Sequence, residues 1–123
     1  MTKKTKKNRT EDKPLALDAA RIARELNCTD ITVIDLTGIS PATNYFVIAT
    51  GTSARQARTV ADEISVEAKK QGHQRLGIAG YDRGQWILLD FVSVVVHIFA
   101  PDQREYYNLE MLWGDAEQLT IDD

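Results

Sequence analysis

Apolar and polar positions along this chain of 123 residues repeat with two periods, one typical of helices and one typical of strands. Helical spacing predicts a helix that Pro14 opens and Asn27 ends, a second over residues 53–71, and a third that begins near Pro101. Short β-branched and apolar runs predict five strands. They are ITVIDL (31–36), YFVIAT (45–50), residues 76–79, WILLDF (86–91) and VVVHIF (94–99).

The predicted order of elements, α-β-β-α-β-β-β-α, indicates an α+β fold in which helices flank a mixed five-stranded sheet. Strand 45–50, the helix after it and strand 76–79 together have the length that a parallel crossover requires. The other connections favour antiparallel pairing. We find no internal repeat, and 123 residues suit one domain with a modest core.

Charge is distributed unevenly along the chain. Residues 1–13 hold five Lys and one Arg against Glu11 and Asp12, a net charge of +4 within a chain whose total is −3, which leaves −7 for the remainder. This segment has no apolar residue after Met1, so we expect a disordered basic tail over 1–13, a domain over 14–116 and an acidic tail over 117–123. An acidic body suits a basic protein partner and repels phosphate. We therefore expect no specific nucleic-acid binding, and we favour a solvated terminus over weak contact of the basic tail with RNA.

Cysteine usage and hydropathy indicate a reducing compartment. Cys28 is the single cysteine, so no intramolecular disulfide is available and no zinc site is indicated. No apolar run approaches the roughly 18 residues of a membrane span, and no secretory signal is apparent. We expect a cytoplasmic protein with no cofactor, no metal site and no membrane contact.

The turn Gly51-Thr52-Ser53 lies between a predicted strand and a predicted helix. A phosphate binds readily at such a helix N-terminus, and a similar turn opens nucleotidyltransferase domains. However, Ser53 and Gln56 fit the S-x-x-Q capping box. No pair of carboxylates follows the turn to hold a metal ion. We favour capping over phosphate binding.

Asp90 and His97 form a candidate acid–base pair for an enzyme, which would also need a nucleophile. Cys28, Ser53 and Ser93 are the available side chains, and none lies in a recognisable catalytic motif. A nucleotidyltransferase-like enzyme remains an alternative. We favour a protein that is not an enzyme and has no catalytic residues.

The hairpin of the last two predicted strands carries the most informative pattern. A two-residue turn, Val92-Ser93, places successive side chains on opposite faces. One face is wholly apolar and predicts core: Ile87, Leu89, Phe91, Val94, Val96 and Ile98. The other face mixes large apolar groups with an acid and an imidazole: Trp86, Leu88, Asp90, Val95, His97 and Phe99. This mixture is typical of a protein-binding surface, and it places Asp90 and His97 within reach of a shared hydrogen bond. A three-residue turn would exchange the faces of the second strand.

Several segments together resemble the ribosomal silencing factor family, also called Iojap-related proteins, strongly over residues 30–116 and in pattern over the helix at residues 15–26. The matching segments are DITVIDL (30–36), NYFVIATGTSARQ (44–56), ADEI (61–64), GYDRGQWILLDF (80–91) and VVVHIFAPDQREYYNLEMLWGDA (94–116). The chain departs from the family pattern at Asn44 and Ala79, where Asp and Glu are common. It departs again at the turn Val92-Ser93, where Gly-Asp is common.

The resemblance implies a nucleotidyltransferase-like fold without catalytic carboxylates and a cytoplasmic protein, usually a homodimer, that is not an enzyme. It implies binding to the large ribosomal subunit at its fourteenth protein, which blocks subunit joining and represses translation. Organelle relatives assist assembly of the large subunit. The family's partner-binding tryptophan and aspartate correspond to Trp86 and Asp90. We expect Leu88 and His97 to act beside them, with Tyr81 and Phe99 extending the surface.

Overall fold

The computed structural model describes the backbone of residues 2–102, 116–119 and 121, and the side chains from residue 12 onward within these ranges. The described helices are α1 (Thr2–Glu25) and α2 (Ala54–Lys70). The strands are β1 (Thr29–Asp35), β2 (Tyr45–Thr50), β3 (Gly77–Ala79), β4 (Trp86–Asp90), β5 (Val94–Phe99) and β6 (Glu117–Leu119). The helix predicted after Pro101 lies outside the described residues.

The strands form one mixed sheet in the order β3-β4-β5-β2-β1-β6, which confirms the predicted fold class. Within the described part of the chain, the sheet has six strands rather than five. The additional strand, β6, lies in the segment predicted as an acidic tail and pairs antiparallel with β1, with Leu119 opposite Val33. No local pattern predicts this strand, because it has only three residues and pairs with a strand far away along the chain.

The predicted parallel crossover is only partly correct. β2 pairs in parallel with β5, with Tyr45 opposite Val94, and not with β3. β3 has the expected direction but lies at the edge of the sheet, paired only with β4. The antiparallel run β3-β4-β5 returns the chain to β2. There β5 pairs over six residues, which the three-residue β3 cannot match.

The start of α1 corrects a second prediction. The helix begins at Thr2 and contains Pro14 in its interior, so the prediction that Pro14 opens it is wrong. The division of the chain into a basic tail, a domain and an acidic tail stays a prediction. Asp12 supplies a tertiary reason, since its buried carboxylate accepts hydrogen bonds from Ser93 Oγ (2.8 Å) and Asn44 Nδ2 (3.1 Å). These contacts attach the helix on the N-terminal side of Pro14. Asn27 follows the end of α1 with a φ of 77°, and the predicted helix end near this residue is confirmed.

Both helices pack on one face of the sheet and bury the main hydrophobic core. The wholly apolar hairpin face is buried there as predicted, from Ile87 to Ile98. The apolar stripe of α2 meets it: Ala57, Val60, Ala61, Ile64 and Ala68. Burying each Val, Leu or Ile side chain contributes about 1.5–3 kcal/mol. This face is therefore structural and unavailable to a partner.

The N-terminus of α2 confirms the capping prediction. Ser53 Oγ accepts a hydrogen bond from the Gln56 backbone N–H at 3.0 Å. Gln56 Oε1 accepts in return from the Thr52 backbone N–H at 3.0 Å, one residue earlier than in the standard capping box. The side chains of the chain itself thus satisfy this helix end.

The β4–β5 turn has the two residues that the sequence predicted. The Phe91 N–H donates to the Val94 carbonyl at 2.9 Å, and Leu88 lies opposite His97. Val92 has a φ of 72°, in the left-handed region where a β-branched side chain is strained. The Asp90 carboxylate accepts from the Val92 N–H at 2.8 Å and helps to hold this conformation.

Replacing Val92 with glycine should stabilise the protein, because glycine adopts positive φ without steric cost. The left-handed region costs an L-residue about 1–2 kcal/mol, and the added chain entropy of glycine offsets about 0.5–1 kcal/mol of that gain. The side chain is 54% exposed, so little burial is lost. We expect a net gain of about 0.5–1 kcal/mol in urea unfolding. Val92→Ala is the control: since it keeps a Cβ, equal stabilisation by alanine would contradict the strain argument.

Candidate functional site

The candidate site lies on the sheet face opposite α1 and α2, here called the outer face. Along β4, side chains alternate between the two faces, so Trp86, Leu88 and Asp90 share the outer face and are part-buried. Gly80 helps to place the start of this strand. A Cβ at residue 80 would lie 1.9 Å from the Trp86 carbonyl oxygen, and the φ of 76° there also requires glycine.

Along β5, the same face is more deeply covered. Val95 is part-buried, His97 is 4% exposed and Phe99 is fully buried. Phe99 packs in a second core cluster with Ile34, Leu36 and Ile48. The prediction that Phe99 extends an exposed surface is therefore wrong. The hairpin pattern placed Phe99 on the correct face of the sheet. However, β5 is an inner strand, and Ile34 and Ile48 of the neighbouring strands help to bury the Phe99 side chain.

Trp86 and His97 are hydrogen-bonded to each other. The indole Nε1–H of Trp86 donates to His97 Nδ1 at 3.1 Å, so the expected bond between Asp90 and His97 is wrong. Asp90 Oδ1 accepts instead from the Val92 N–H. The Trp86 ring also stacks on Phe99 with centroids 5.1 Å apart, and Phe46 meets His97 edge-on at 4.8 Å. The stack on Phe99 and the hydrogen bond to His97 thus orient the Trp86 indole, and Phe46 packs against the imidazole that accepts this bond.

Burial lowers the pKa of His97 to about 4, so its imidazole is neutral at pH 7. Because Nδ1 accepts from Trp86, the ring hydrogen lies on Nε2, which is buried and has no hydrogen-bond partner among the described residues. Protonation of Nδ1 would remove the acceptor that Trp86 uses. The neutral histidine is therefore the form that holds the tryptophan.

Because the pKa of His97 is lowered in the folded protein, we expect the free energy of unfolding to decrease as the pH is lowered. An unfolded histidine binds a proton near pH 6.5, whereas the folded one does so only near pH 4. The stabilisation is complete above pH 6.5 and is lost as pH falls toward 4. Between pH 7 and pH 5 this linkage should lower the free energy of unfolding by about 2 kcal/mol. Urea unfolding should show this decrease relative to His97→Phe, which does not titrate; parallel pH curves would contradict it.

A groove crosses the outer face at the turn end of the hairpin. It has a volume of about 460 Å³ and mainly apolar walls. Its lining consists of Ser40, Ala42, Thr43, Phe46, Leu76, Leu88, Asp90, Val92, Val95 and His97. Thr43 Oγ1 is a second buried atom here that has no hydrogen-bond partner in the described ranges of the chain. Among the described lining residues, Asp90 is the one that carries a carboxylate.

The sequence pattern placed four of the groove residues on this face but missed most of the rim; the four are Leu88, Asp90, Val95 and His97. Leu76 is 70% exposed and enters the site because its N–H donates to the Asp90 carbonyl at 2.7 Å. Phe46 enters because β2 pairs with β5, where it lies opposite Val95. Both contributions depend on strand pairing between distant segments. Val92 differs from these two rim residues, because a β-branched residue in a two-residue turn is unusual and can be noticed in the sequence.

Tyr81 does not join the other predicted residues. Its hydroxyl donates to Asp62 Oδ2 on α2 at 2.9 Å, and its ring packs against the core beneath the helices. The turn after β3 therefore directs this side chain to the opposite side of the sheet. The structure brings together Trp86, Leu88, Asp90 and His97, but not Tyr81.

The candidate nucleophiles lie in structural contacts. Ser53 caps α2, Ser93 Oγ donates to Asp12, and burial raises the pKa of the Cys28 thiol. Within the described part of the chain, no cluster of three or more His, Cys, Asp or Glu residues is placed to hold a metal ion. The absence of catalytic residues and cofactors stays a prediction. No helix among the described residues is long and apolar enough to cross a membrane.

Comparison with known proteins connects this geometry to a family. The sequence model of a family described as "Ribosomal silencing factor during starvation" matches residues 8–123. Ribosomal silencing factor RsfS of Bacillus subtilis is 41% identical over 104 residues, covering 85% of this chain and 88% of that protein. The mouse protein named "Mitochondrial assembly of ribosomal large subunit protein 1" is 35% identical over 95 residues, covering 75% of this chain but 42% of its own length.

A crystal structure agrees with the sequence relatives. A protein from Chromobacterium violaceum superposes with a TM-score of 0.76 at 31% identity, covering 93% of this chain and 92% of the other. The match therefore extends over sequence and fold together. On these grounds the chain belongs to the ribosomal silencing factor family.

Proposed function

We propose that this protein binds the large ribosomal subunit through its outer face, at the fourteenth large-subunit protein, and blocks joining of the small subunit. The observation that carries the proposal is the placement of Trp86, Leu88 and Asp90. They lie in a row on the face that α1 and α2 leave uncovered, and each is part-buried rather than sealed. Translation is repressed because joined ribosomes do not form.

The chemistry of this face suits a basic protein partner. Trp86 and Leu88 offer apolar area, and tryptophan is among the residues most enriched in binding hot spots. Asp90 uses Oδ1 for the Val92 N–H, which leaves Oδ2 to pair with a lysine or arginine of the partner. The net charge of −7 over residues 14–123 speeds encounter with a basic ribosomal protein.

His97 acts in this proposal as a positioning residue. It is buried, so it offers little surface to a partner. Its Nδ1 accepts from the Trp86 indole and fixes the direction of that ring. Fixing the ring before binding lowers the entropy that association costs. Tyr81 and Phe99 have no role in the proposed contact.

The mechanism is steric and needs no chemical step. A body of 13.8 kDa occupies space that the small subunit requires. An interface of roughly 800 Å² on each partner is enough for specific binding. The protein then acts in the cytoplasm, without a cofactor and without catalysis.

Co-sedimentation with isolated large subunits tests binding, and a subunit-joining assay tests the mechanism. We expect the protein to sediment with large subunits and to reduce formation of joined ribosomes when it is added before small subunits. Small subunits alone are the control and should not retain it. Binding without any effect on joining would contradict the steric mechanism, and no binding would contradict the docking proposal.

Self-association through the same face is the main competing use of this surface. Family resemblance implies a homodimer, and an apolar face with one charge can also meet a second copy. Analytical ultracentrifugation with and without added large subunits separates the two. If large subunits leave the dimer intact and Trp86 unchanged in fluorescence, the outer face belongs to the dimer and not to the ribosome.

A role in assembly of the large subunit is the second candidate, favoured by the printed name of the mouse relative. The same docking surface would then act on an immature subunit. Depletion in cells distinguishes the roles. Accumulation of large-subunit precursors with normal subunit joining would favour assembly, whereas mature subunits that join too readily would favour silencing.

A further inference from the structure

The N-terminal segment is attached to the fold beside the groove of the outer face. Asp12 accepts hydrogen bonds from Ser93 Oγ at 2.8 Å and from Asn44 Nδ2 at 3.1 Å. Ser93 follows Val92, which lines the groove together with Asp90. Residues 2–11, here called the basic arm, therefore leave the body at the turn end of the proposed docking face.

Charge separates the basic arm from the rest of the protein. The arm holds four Lys and one Arg against Glu11, a net charge of +4, and the chain from residue 12 onward carries −7. A phosphate backbone is repelled by such a body and attracted to such an arm. The arm thus offers a polyanion a binding position that the acidic body does not.

The helical backbone of the arm adds a second argument. α1 begins at Thr2 and has no acidic residue in its first turn. The N-terminal end of a helix carries partial positive charge, and nearby lysines repel it. An anion bound along the arm would offset this repulsion. The sequence of the arm is thus unfavourable for an isolated helix and suited to one that contacts phosphates.

We propose that the basic arm binds the phosphate backbone of RNA next to the protein surface that the outer face contacts. The location on ribosomal RNA rests on the proposed function, whereas the attraction to RNA does not. Ten helical residues extend about 15 Å from Asp12, which is enough to reach RNA that borders the docked face. The two contacts reinforce one another because each holds the other at high effective concentration.

The salt dependence of binding to isolated large subunits tests this proposal. Each cation that neutralises a phosphate adds about 0.7–0.9 to the slope of log affinity against log salt concentration. Replacing all five cations of the arm by glutamine should reduce the slope by about 4. These substitutions are Lys3→Gln, Lys4→Gln, Lys6→Gln, Lys7→Gln and Arg9→Gln. An unchanged slope would overturn the proposal.

A matched pair of variants separates the arm from overall charge. Lys6→Gln with Lys7→Gln removes two adjacent cations from the arm, and Lys69→Gln with Lys70→Gln removes two adjacent, exposed cations at the end of α2. We expect the first pair to reduce the slope by about 1.5 and the second to leave it unchanged. Equal reductions in both would show an effect of net charge and overturn the proposal.

Binding to RNA without ribosomes distinguishes this proposal from the proposed function. At 50 mM salt, the wild-type protein should retain a labelled RNA duplex of 20 base pairs, and the five-site variant should not. Binding to phosphatidylglycerol vesicles in preference to RNA would overturn the inference in favour of a membrane surface. If RNA is bound but large subunits are not, the proposed function fails while the arm remains an RNA contact.

Discussion

Replacing Trp86 with alanine should weaken binding to large ribosomal subunits by at least about 2 kcal/mol, roughly thirtyfold, because a tryptophan anchor is lost from the docking face. The variant should remain folded, since Trp86 is part-buried on β4 while the main core lies on the other side of the sheet. Its stability should still decrease, because the indole stacks on Phe99 and donates to His97. Co-sedimentation gives the affinity, and urea unfolding gives the stability.

Two control variants make the Trp86 experiment specific. Tyr81→Ala removes a part-buried aromatic side chain on the α2 side, so it should leave ribosome binding unchanged. Trp86→Phe keeps a ring against Phe99 but loses the N–H that His97 accepts, so it should have an intermediate effect. If Trp86→Ala leaves no folded protein, the residue is structural and the docking assignment fails. If Tyr81→Ala weakens binding equally, the outer face is not the docking site.

Reversing the charge at Asp90 should have the second large effect. Asp90→Ala removes the pairing with a cationic partner side chain, and Asp90→Lys adds repulsion that costs several kcal/mol more. Both variants lose the hydrogen bond from the Val92 N–H equally. The difference between them therefore reports charge at the interface and not the turn. Equal affinities for alanine and lysine would show that Asp90 does not face a cation.

Asp90→Asn and Asp82→Lys complete the charge series. Asparagine keeps an oxygen for the Val92 N–H and removes only the charge, so it should bind like alanine but unfold like the wild type. Asp82 is exposed in the turn before β4 and lines a pocket with Asp62 and Tyr81 away from the outer face. Asp82→Lys makes the same charge change there. A loss of affinity as large as that of Asp90→Lys would indicate general electrostatics.

Local patterns predicted the described helices and most strands correctly, but they missed the start of α1 and the edge strand β6. The period of two in WILLDF and VVVHIF gave the hairpin register, with Leu88 opposite His97 as observed. The S-x-x-Q spacing gave the α2 cap. The prediction that α1 begins at Pro14 was wrong. Proline is common at the first position of a helix, but here Asp12 contacts Ser93 and Asn44 and attaches the helix before Pro14 to the fold. A sequence pattern does not contain a contact between residues 81 positions apart.

The departures of this chain from its family pattern acquire a reason only in three dimensions. Asn44 and Ser93 stand where aspartate is common in the family. In the structure each donates a hydrogen bond to the buried carboxylate of Asp12. An ionised aspartate at either position has no hydrogen to donate and would repel Asp12. Both departures therefore suit the same buried carboxylate, that of Asp12.

Strand alternation is a property of neighbouring residues, so the amino-acid pattern was enough to predict which side chains share a face of β4 and β5. It also determined the charge contrast between the basic arm and the acidic body. The extent to which each side chain on the outer face is covered depends on contacts between distant segments. His97 and Phe99 are buried while Trp86 and Asp90 remain part-exposed, because β5 lies between β4 and β2 in the sheet. Burial depends on which distant strands pair, and no local period encodes that choice.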